Sequence, residues 1–247
     1  MQLGKGPQVQ GWILHEYVEV TSTNLVAATL PAWHAARADA QTAGRGRFQR
    51  TWVSDAGGLW LSAVLPMETN FPAWRMLPLA TGVAVCDVLR AHGVKHHRLR
   101  WPNDILVGER KLAGLLIDHF QPGLAVVGIG INVGNQPEAR DGNLSDHVTR
   151  LTDLVSVAPS LRELARHVLA ALQTVWLELR NSGPEILLPR VNALWDLPRE
   201  VQLDLDDTLV NGVFTGVDAE GRLRLRQANG ETTFYEPQGV RLLRDMA

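Results

Sequence analysis

Apolar and polar positions repeat along this chain on two different periods, and the change from one to the other divides it. Residues 13–20 alternate loosely and carry β-formers, which predicts a first strand. Thr21-Ser22-Thr23-Asn24 then precedes an Ala/Leu-rich stretch ending before Pro31, a helix-start signal followed by a short helix. A second short strand is expected over 37–42, and 58–66 (GLWLSAVLP) reads as a buried strand. Residues 71–92 are mostly apolar at helical spacing and close at Gly93, which suits a C-cap. Residues 98–101 and 105–107 bracket a Pro-Asn-Asp turn, and Gly108-Glu109-Arg110 turns the chain into 112–120. Residues 124–133 form a long apolar strand, and 136–148 is polar and irregular, as a surface loop is. The strongest amphipathic helix is 160–181, with Leu161, Leu164, His167, Val168, Leu172, Val175 and Leu179 on one face. A shorter helix follows over 185–194.

After Trp195 the texture changes. Short strands at 201–205, 209–218, 222–227 and 232–236 are separated by Asp206-Asp207, Glu220-Gly221 and Asn229-Gly230 turns. The pattern predicts an α/β domain over residues 1–196 and a small β-barrel over 197–247, joined through Leu197-Pro198. The length of 247 residues fits one or two domains at about 150 residues each.

Composition narrows the class. At 45% hydrophobic and 20% charged, the chain is ordinary for a soluble globular protein. A formal charge of −2 argues against a surface built wholly for nucleic acid, although a local basic patch remains open. The single Cys86 excludes an internal disulfide framework and a multi-thiolate zinc site, and reads as an inert buried thiol. No apolar run approaches the roughly 20 residues of a membrane-spanning helix. Residues 1–10 lack the charged-then-apolar pattern of a signal peptide, so a cytoplasmic location is expected. Of the 24 basic residues only Lys5, Lys95 and Lys111 are Lys. Each is worth a question, because Arg cannot replace Lys where a compact point charge is needed.

Residues of chemical value cluster between Ser22 and Asn132. In Gly44-Arg45-Gly46-Arg47-Phe48-Gln49-Arg50-Thr51-Trp52, the glycines let backbone N–H groups approach an anion and the Arg forks match phosphate oxygens. The same segment also reads as a solvated basic loop or a nucleic-acid backbone contact. It lacks the Walker arrangement, which speaks against a P-loop NTPase. Arg100-Trp101-Pro102-Asn103-Asp104 is either an ordinary hairpin turn or a rigid turn whose Trp101 walls a pocket for a flat ligand. Lys111, with Gly114 three residues on, would by itself be a surface residue. Gly128-Ile129-Gly130-Ile131-Asn132 lacks the third glycine and the helix of a dinucleotide fingerprint. Glycine inside a strand points instead to close approach by a ligand or another backbone. His96-His97 is the only histidine pair, no His/Asp/Glu cluster has metal-ligand spacing, and no Gly-x-Ser-x-Gly elbow is present.

Taken in order, Ser22-Thr23-Asn24, Gln41 with the 44–52 loop, Arg100–Asp104, Lys111-Leu112-Ala113-Gly114 and Gly128–Asn132 resemble the biotin protein ligases (biotin–[acetyl-CoA-carboxylase] ligases). The C-terminal module is similar to that family's small SH3-like domain. The resemblance implies an α+β fold: a mixed-sheet catalytic domain of the biotin/lipoyl ligase, class II aminoacyl-tRNA-synthetase-like type, with an SH3-like β-barrel. It implies two steps: biotin and MgATP give biotinyl-5′-adenylate, and a Lys of a biotin carrier protein then takes the biotin. ATP and biotin are substrates, Mg2+ accompanies them, and the partner is a carboxylase's carrier subunit.

By resemblance Ser22, Thr23 and Gln41 bond the biotin head group, and Gly44 and Arg45 close over it. Gly114 and Gly130 let backbone pass close to the bicyclic ring and valeryl chain. Lys111, with Arg45 and Arg47, carries catalysis by stabilising charge on the carboxylate and α-phosphate. Arg47, Arg50 and Trp52 line the nucleotide side, and Asn103, Asp104 and Asn132 fix the adenylate or its metal. The sequence departs from the family at Arg100, where Lys is common. It departs again at Phe48-Gln49, where many members have a basic or small residue plus Gly; this implies a stiffer loop.

Some members carry an N-terminal helix-turn-helix of roughly 60 residues. Only about 20 residues precede Ser22 here, so no DNA partner is expected. The rival readings are a lipoyl-type acyl-adenylate ligase and a nucleic-acid-binding module. Arg222, Arg224 and Arg226 share a strand face, either as solvated surface or as a contact for carrier protein or nucleotide. No membrane partner is expected, and an exposed strand edge leaves a homodimer open.

Overall fold

A computed structural model describes residues 2–9, 11–67, 72–137, 147–195, 198–205 and 208–246. Most of the loop expected at 136–148 lies outside these residues, as do Phe71, Leu197 and the Asp206-Asp207 turn. Eight strands form one sheet: β1 (Gln2–Val9), β2 (Trp12–Val20), β3 (His34–Gln41), β4 (Leu59–Pro66), β5 (His97–Arg100), β6 (Asp104–Val107), β7 (Arg110–Asp118) and β8 (Leu124–Ile131). Their order is β1-β2-β3-β4-β8-β7-β6-β5. Only β2 and β3 pair in parallel, so the sheet is mixed. The crossover between them carries α1 (Thr23–Ala27), as parallel neighbours require a connection long enough to return the chain. β1 was not expected from its polar, Gly-bearing sequence. It is an edge strand held by backbone pairing, which needs no apolar alternation.

β4 explains why its sequence is almost continuously apolar. Leu59, Leu61, Ala63 and Leu65 enter the main core, and Val64 on the other face packs with Ala27, Ala36 and Val126. A strand covered on both faces loses the alternation of a half-exposed one. The main core lies under α2 (Leu77–Ala91) and α3 (Leu161–Ser182), while α1 covers part of the opposite face. α2 is shorter than the apolar pattern, because Pro72–Met76 is a 3-10 turn and Pro78 stands at the helix N-terminus. Likewise α4 (Leu188–Ala193) follows a separate 3-10 turn at Pro184–Ile186. On α3 the stripe Leu164, Val168, Leu172, Val175 and Leu179 is buried, but His167 is exposed on its flank and meets His92 at 3.0 Å. Ser160 caps this helix by accepting from the Glu163 backbone N–H at 3.2 Å. Cys86 is fully buried and its thiol is pushed well up by burial, as an inert core thiol should be. His96 precedes β5 with a φ of 55° and so is not paired with His97 in a strand. No helix among the described residues is long and apolar enough to cross a membrane.

The C-terminal strands β9 (Arg199–Asp204), β10 (Leu209–Val217), β11 (Leu223–Arg226), β12 (Thr232–Tyr235) and β13 (Leu242–Asp245) form a second, antiparallel sheet in the order β12-β11-β10-β9-β13. β13 was not anticipated. The expected arginine face is divided: Arg222 pairs with Asp218 at 2.7 Å, Arg224 donates to the Thr215 carbonyl, and Arg226 is exposed.

The two sheets are tied at several points. Trp101, 2% exposed, donates its indole N–H to the Gly221 carbonyl at 2.9 Å. Arg98 meets Asp245 at 2.7 Å, and Arg199 meets the same carboxylate at 3.3 Å. Replacing Trp101 with Phe keeps most of the buried ring but strands the Gly221 carbonyl. The variant is expected to lose about 1–3 kcal/mol in urea unfolding; an unchanged midpoint and slope would show that the tie contributes nothing.

Candidate active site

The sheet face beside α1 carries a cavity of about 260 Å³. Its floor follows from strand register. Trp60, Gly130 and Gly114 lie in one row across β4, β8 and β7, and Ser62, Gly128 and Leu116 lie in the next. Glycine at three of these positions keeps the floor low, and two neighbouring side chains use the space. A Cβ at Gly128 would collide with Asn24 Oδ1. One at Gly114 would stand 2.9 Å from the Trp52 ring, and one at Gly130 would stand 2.8 Å from Trp52 Nε1. The two glycines expected beside a ligand thus seat Trp52, which lies against the floor. Its indole N–H has no partner among the described residues.

All the site residues singled out from the sequence line this cavity except Gly44. Gly44 is buried at the base of the loop, where a Cβ would collide with Ser54 Oγ and the Trp52 carbonyl. There it holds the two sides of the loop close together. The loop is a hairpin: Gly46 N–H donates to Arg50 O at 2.7 Å, and Trp52 N–H donates to Gly44 O at 2.9 Å. Phe48 and Gln49 form its tip with φ of 53° and 59°, a left-handed conformation that Gly adopts without strain and these residues do not.

One wall of the cavity is uncharged. Gln41 Oε1 accepts the Thr23 backbone N–H at 2.7 Å, and Gln41 Nε2 donates to Ser54 Oγ at 2.8 Å. Ser22 stands at the N-cap of α1, yet its hydroxyl makes no capping bond. The opposite wall is cationic. Lys111 Nζ lies 2.5 Å from Asp104 Oδ1 and 4.9 Å from the Trp52 ring centroid. Arg100 Nη2 holds the other oxygen, Asp104 Oδ2, at 2.9 Å. Burial alone would raise the Asp104 carboxyl, but the attraction of Lys111 and Arg100 prevails and holds it below the ordinary aspartate value. Asn132 Nδ2 donates to the Lys111 carbonyl at 3.3 Å, and Asn103 Nδ2 donates to the Leu115 carbonyl at 2.7 Å. Both amides therefore fix the strands that present Lys111 and Asp104. Arg47 lines the cavity and also reaches the C-terminal unit. Its Nη2 donates to the Pro237 and Val240 carbonyls of the C-terminal unit, and burial pushes it down to about 10, still charged at neutral pH.

Asp104 is the only carboxylate among the lining residues, and cations occupy both of its oxygens. Among the described residues no group of three or more His, Cys, Asp or Glu is disposed for a metal. The described lining residues do not fit a Mg2+ held by them alone.

The model of the Biotin/lipoate A/B protein ligase family matches residues 17–134, and that of the Biotin protein ligase C terminal domain matches 198–236. A Mycobacterium tuberculosis protein named Biotin--[acetyl-CoA-carboxylase] ligase is 34% identical over 194 residues, covering 76% of this chain and 71% of that one. The chain belongs to the biotin protein ligase family. The Bifunctional ligase/repressor BirA of Bacillus subtilis is 27% identical over 95% of this chain and 76% of its own. The biotin protein ligase of Aquifex aeolicus, solved in complex with biotin and ATP, superposes with a TM-score of 0.82 at 27% identity, covering 94% of this chain and 99% of that one. Both sheets therefore belong to the biotin protein ligase fold.

Three lining residues of this ligase-family site, Arg241, Leu242 and Leu243, come from the C-terminal unit and carried no signal in the sequence. Asn24 and Ser62 were also unassigned; Ser62 was detectable as the one polar residue inside the apolar run of β4. Because Asp104 sits below its ordinary value of about 4, its ion pairs contribute fully above that pH and are lost as pH falls through the lower folded value. In Lys111→Ala, burial is opposed by Arg100 with no help from Lys111. Carboxyl NMR should then find Asp104 titrating at higher pH than in the parent, and an identical titration would refute the coupling.

Proposed function

We propose that the protein activates biotin with ATP and transfers it to a lysine of a biotin carrier protein, the carrier subunit of an acyl-CoA carboxylase. In the first step a carboxylate oxygen of biotin attacks the α-phosphorus of ATP, and pyrophosphate leaves. In the second, the neutral amine of the acceptor lysine attacks the acyl carbon of biotinyl-5′-AMP. An amide forms, AMP departs, and the surplus amine proton passes to water. Both steps concentrate negative charge at one place, so the enzyme must supply fixed positive charge there. What supports the reading is that Lys111, the uncharged Ser22, Thr23 and Gln41, and the cationic Arg45, Arg47 and Arg50 all line one cavity.

The uncharged wall suits a polar, uncharged head group, and Trp52 offers an apolar flank for an alkyl chain. Lys111 rests on Asp104 before substrate arrives; the biotin carboxylate and the α-phosphate compete for the same ammonium as they enter. Arg45 and Arg50 face the incoming anions, and Arg241 adds a cation from the C-terminal unit. Magnesium enters with the nucleotide, as the counter-ion of its phosphates and part of the substrate.

The test is ligand-dependent exchange of pyrophosphate into ATP, with biotin and lipoate compared in parallel. Exchange with biotin and none with lipoate is expected; absence of biotin-dependent exchange refutes the reading. Lys111→Ala should reduce exchange at least about 100-fold while leaving the circular dichroism unchanged, in line with loss of a preorganised charge. Lys111→Arg, which keeps the charge and alters its shape, should recover only part of the rate.

A further inference from the structure

Two histidines that lie 75 residues apart in the chain meet at the surface, where α2 ends beside α3. His92 is the C-cap of α2, and its backbone N–H donates to the Val88 carbonyl at 3.0 Å. His167 lies in the second turn of α3. The facing atoms, His92 Nε2 and His167 Nδ1, are 3.0 Å apart, with ring centroids 5.1 Å apart and planes inclined at 34°. Both backbones are anchored. Val88 and Leu89 before His92, and Leu164 and Val168 on either side of His167, are buried in the core that α2 and α3 share. The imidazoles themselves remain open to solvent, His167 exposed and His92 half-buried. His15 and His34 also meet at 3.0 Å, but His15 is only 6% exposed and so is closed to an ion from solution.

We infer that His92 Nε2 and His167 Nδ1 form a site for a divalent transition-metal ion, such as Ni2+ or Zn2+, that clips the end of α2 to α3. The separation carries the argument. Two nitrogens each about 2.05 Å from a metal stand about 2.9 Å apart at a right angle and about 3.3 Å apart at the tetrahedral angle. The observed 3.0 Å falls between these, so the pair already has the bite of two neighbouring ligands. The rings agree. A tetrahedral arrangement puts their centroids about 5.2 Å apart, against the 5.1 Å found. Seating the ion asks only for a pivot of the rings that brings both lone pairs to one point beside the nitrogen–nitrogen line. No proton is lost, because the ring now donating takes the tautomer that carries its hydrogen on the other nitrogen.

The surroundings favour a cation. The last carbonyls of α2 leave partial negative charge at its C-terminus, where His92 stands. Arg90, close by in the chain, is paired with Asp87 at 2.8 Å, which partly offsets its repulsion. Imidazole selects the ion: nitrogen ligands suit Ni2+ and Zn2+, whereas Mg2+ and Ca2+ prefer oxygen. Among the described residues no third His, Cys, Asp or Glu converges on the pair, so water completes the coordination. Such a site is exchangeable, and the stability it adds follows the metal concentration. It stands apart from the ligase reading and does not depend on it.

The probe is Ni2+ alone, titrated calorimetrically into the full chain at about pH 8, above the ordinary imidazole range. Mg2+ is titrated in parallel. The parent protein should bind Ni2+, and its thermal midpoint should rise with Ni2+, not with Mg2+, and fall back on adding EDTA. His92→Gln and His167→Gln each remove one ligand and should bind Ni2+ at least about tenfold more weakly, because a second ligand on the same scaffold multiplies affinity. His96→Gln, which alters an exposed histidine outside the pair, should bind as the parent does. Should His92→Gln disturb the end of α2, the exposed His167→Gln carries the test by itself. Absence of Ni2+ binding by the parent overturns the inference. So does binding that is undiminished in the pair variants, since the ion then sits elsewhere.

Discussion

An excess of like charge around one small cavity is the constraint from which the rest of the site follows. Arg45, Arg47, Arg50, Arg100, Lys111 and Arg241 all line it, against the single carboxylate of Asp104. Two like charges 4 Å apart repel by about 4 kcal/mol at an effective dielectric of about 20, so six cannot be left to relax freely. The fold gives four of them a partner. Asp104 holds Lys111 and Arg100, Asp118 stands near Arg45, and backbone carbonyls of the C-terminal unit take Arg47. What remains is a potential that an incoming triphosphate and carboxylate neutralise, with little rearrangement required of the protein.

The uncharged half obeys a complementary rule. Its polar groups are buried, so each must be satisfied by another within the wall. Satisfying them fixes which atoms turn toward the cavity and with what polarity. Glycines at 114, 128 and 130 serve both halves, lowering the same sheet face so that Trp52 and Asn24 can lie against it. The uncharged and the cationic groups thus meet on one face of one sheet, a few residues apart in register.

Much of this was legible in the sequence, for a physical reason. The motif residues from Ser22 to Asn132 sit on strands or on the short helix and loop that follow strand ends, so local patterning brings them to one cavity. Less legible were features set by long-range contact. Residues 2–9 form a strand only because β2 offers an edge, and Leu242–Asp245 pairs with β9 through backbone bonds that its sequence does not announce. The carbonyl partners of Arg47 were not legible either, because they lie 190 and 193 residues further along the chain. The contacts of Gly44 with Ser54 and the Trp52 carbonyl depend on how the loop folds back, which its spacing alone does not announce.

The tie between Trp101 and Gly221 changes what the C-terminal sheet is to the enzyme. Trp101 belongs to the turn that presents Asp104, so the second sheet is mortared to the masonry of the first rather than hung from it by a linker. Exchanging that sheet for a relative's would replace part of the cavity lining along with the appended unit. A change in that remote piece of chain therefore reaches the cavity directly, through Arg241, Leu242 and Leu243, and the two units cannot drift apart in sequence without the pocket registering it.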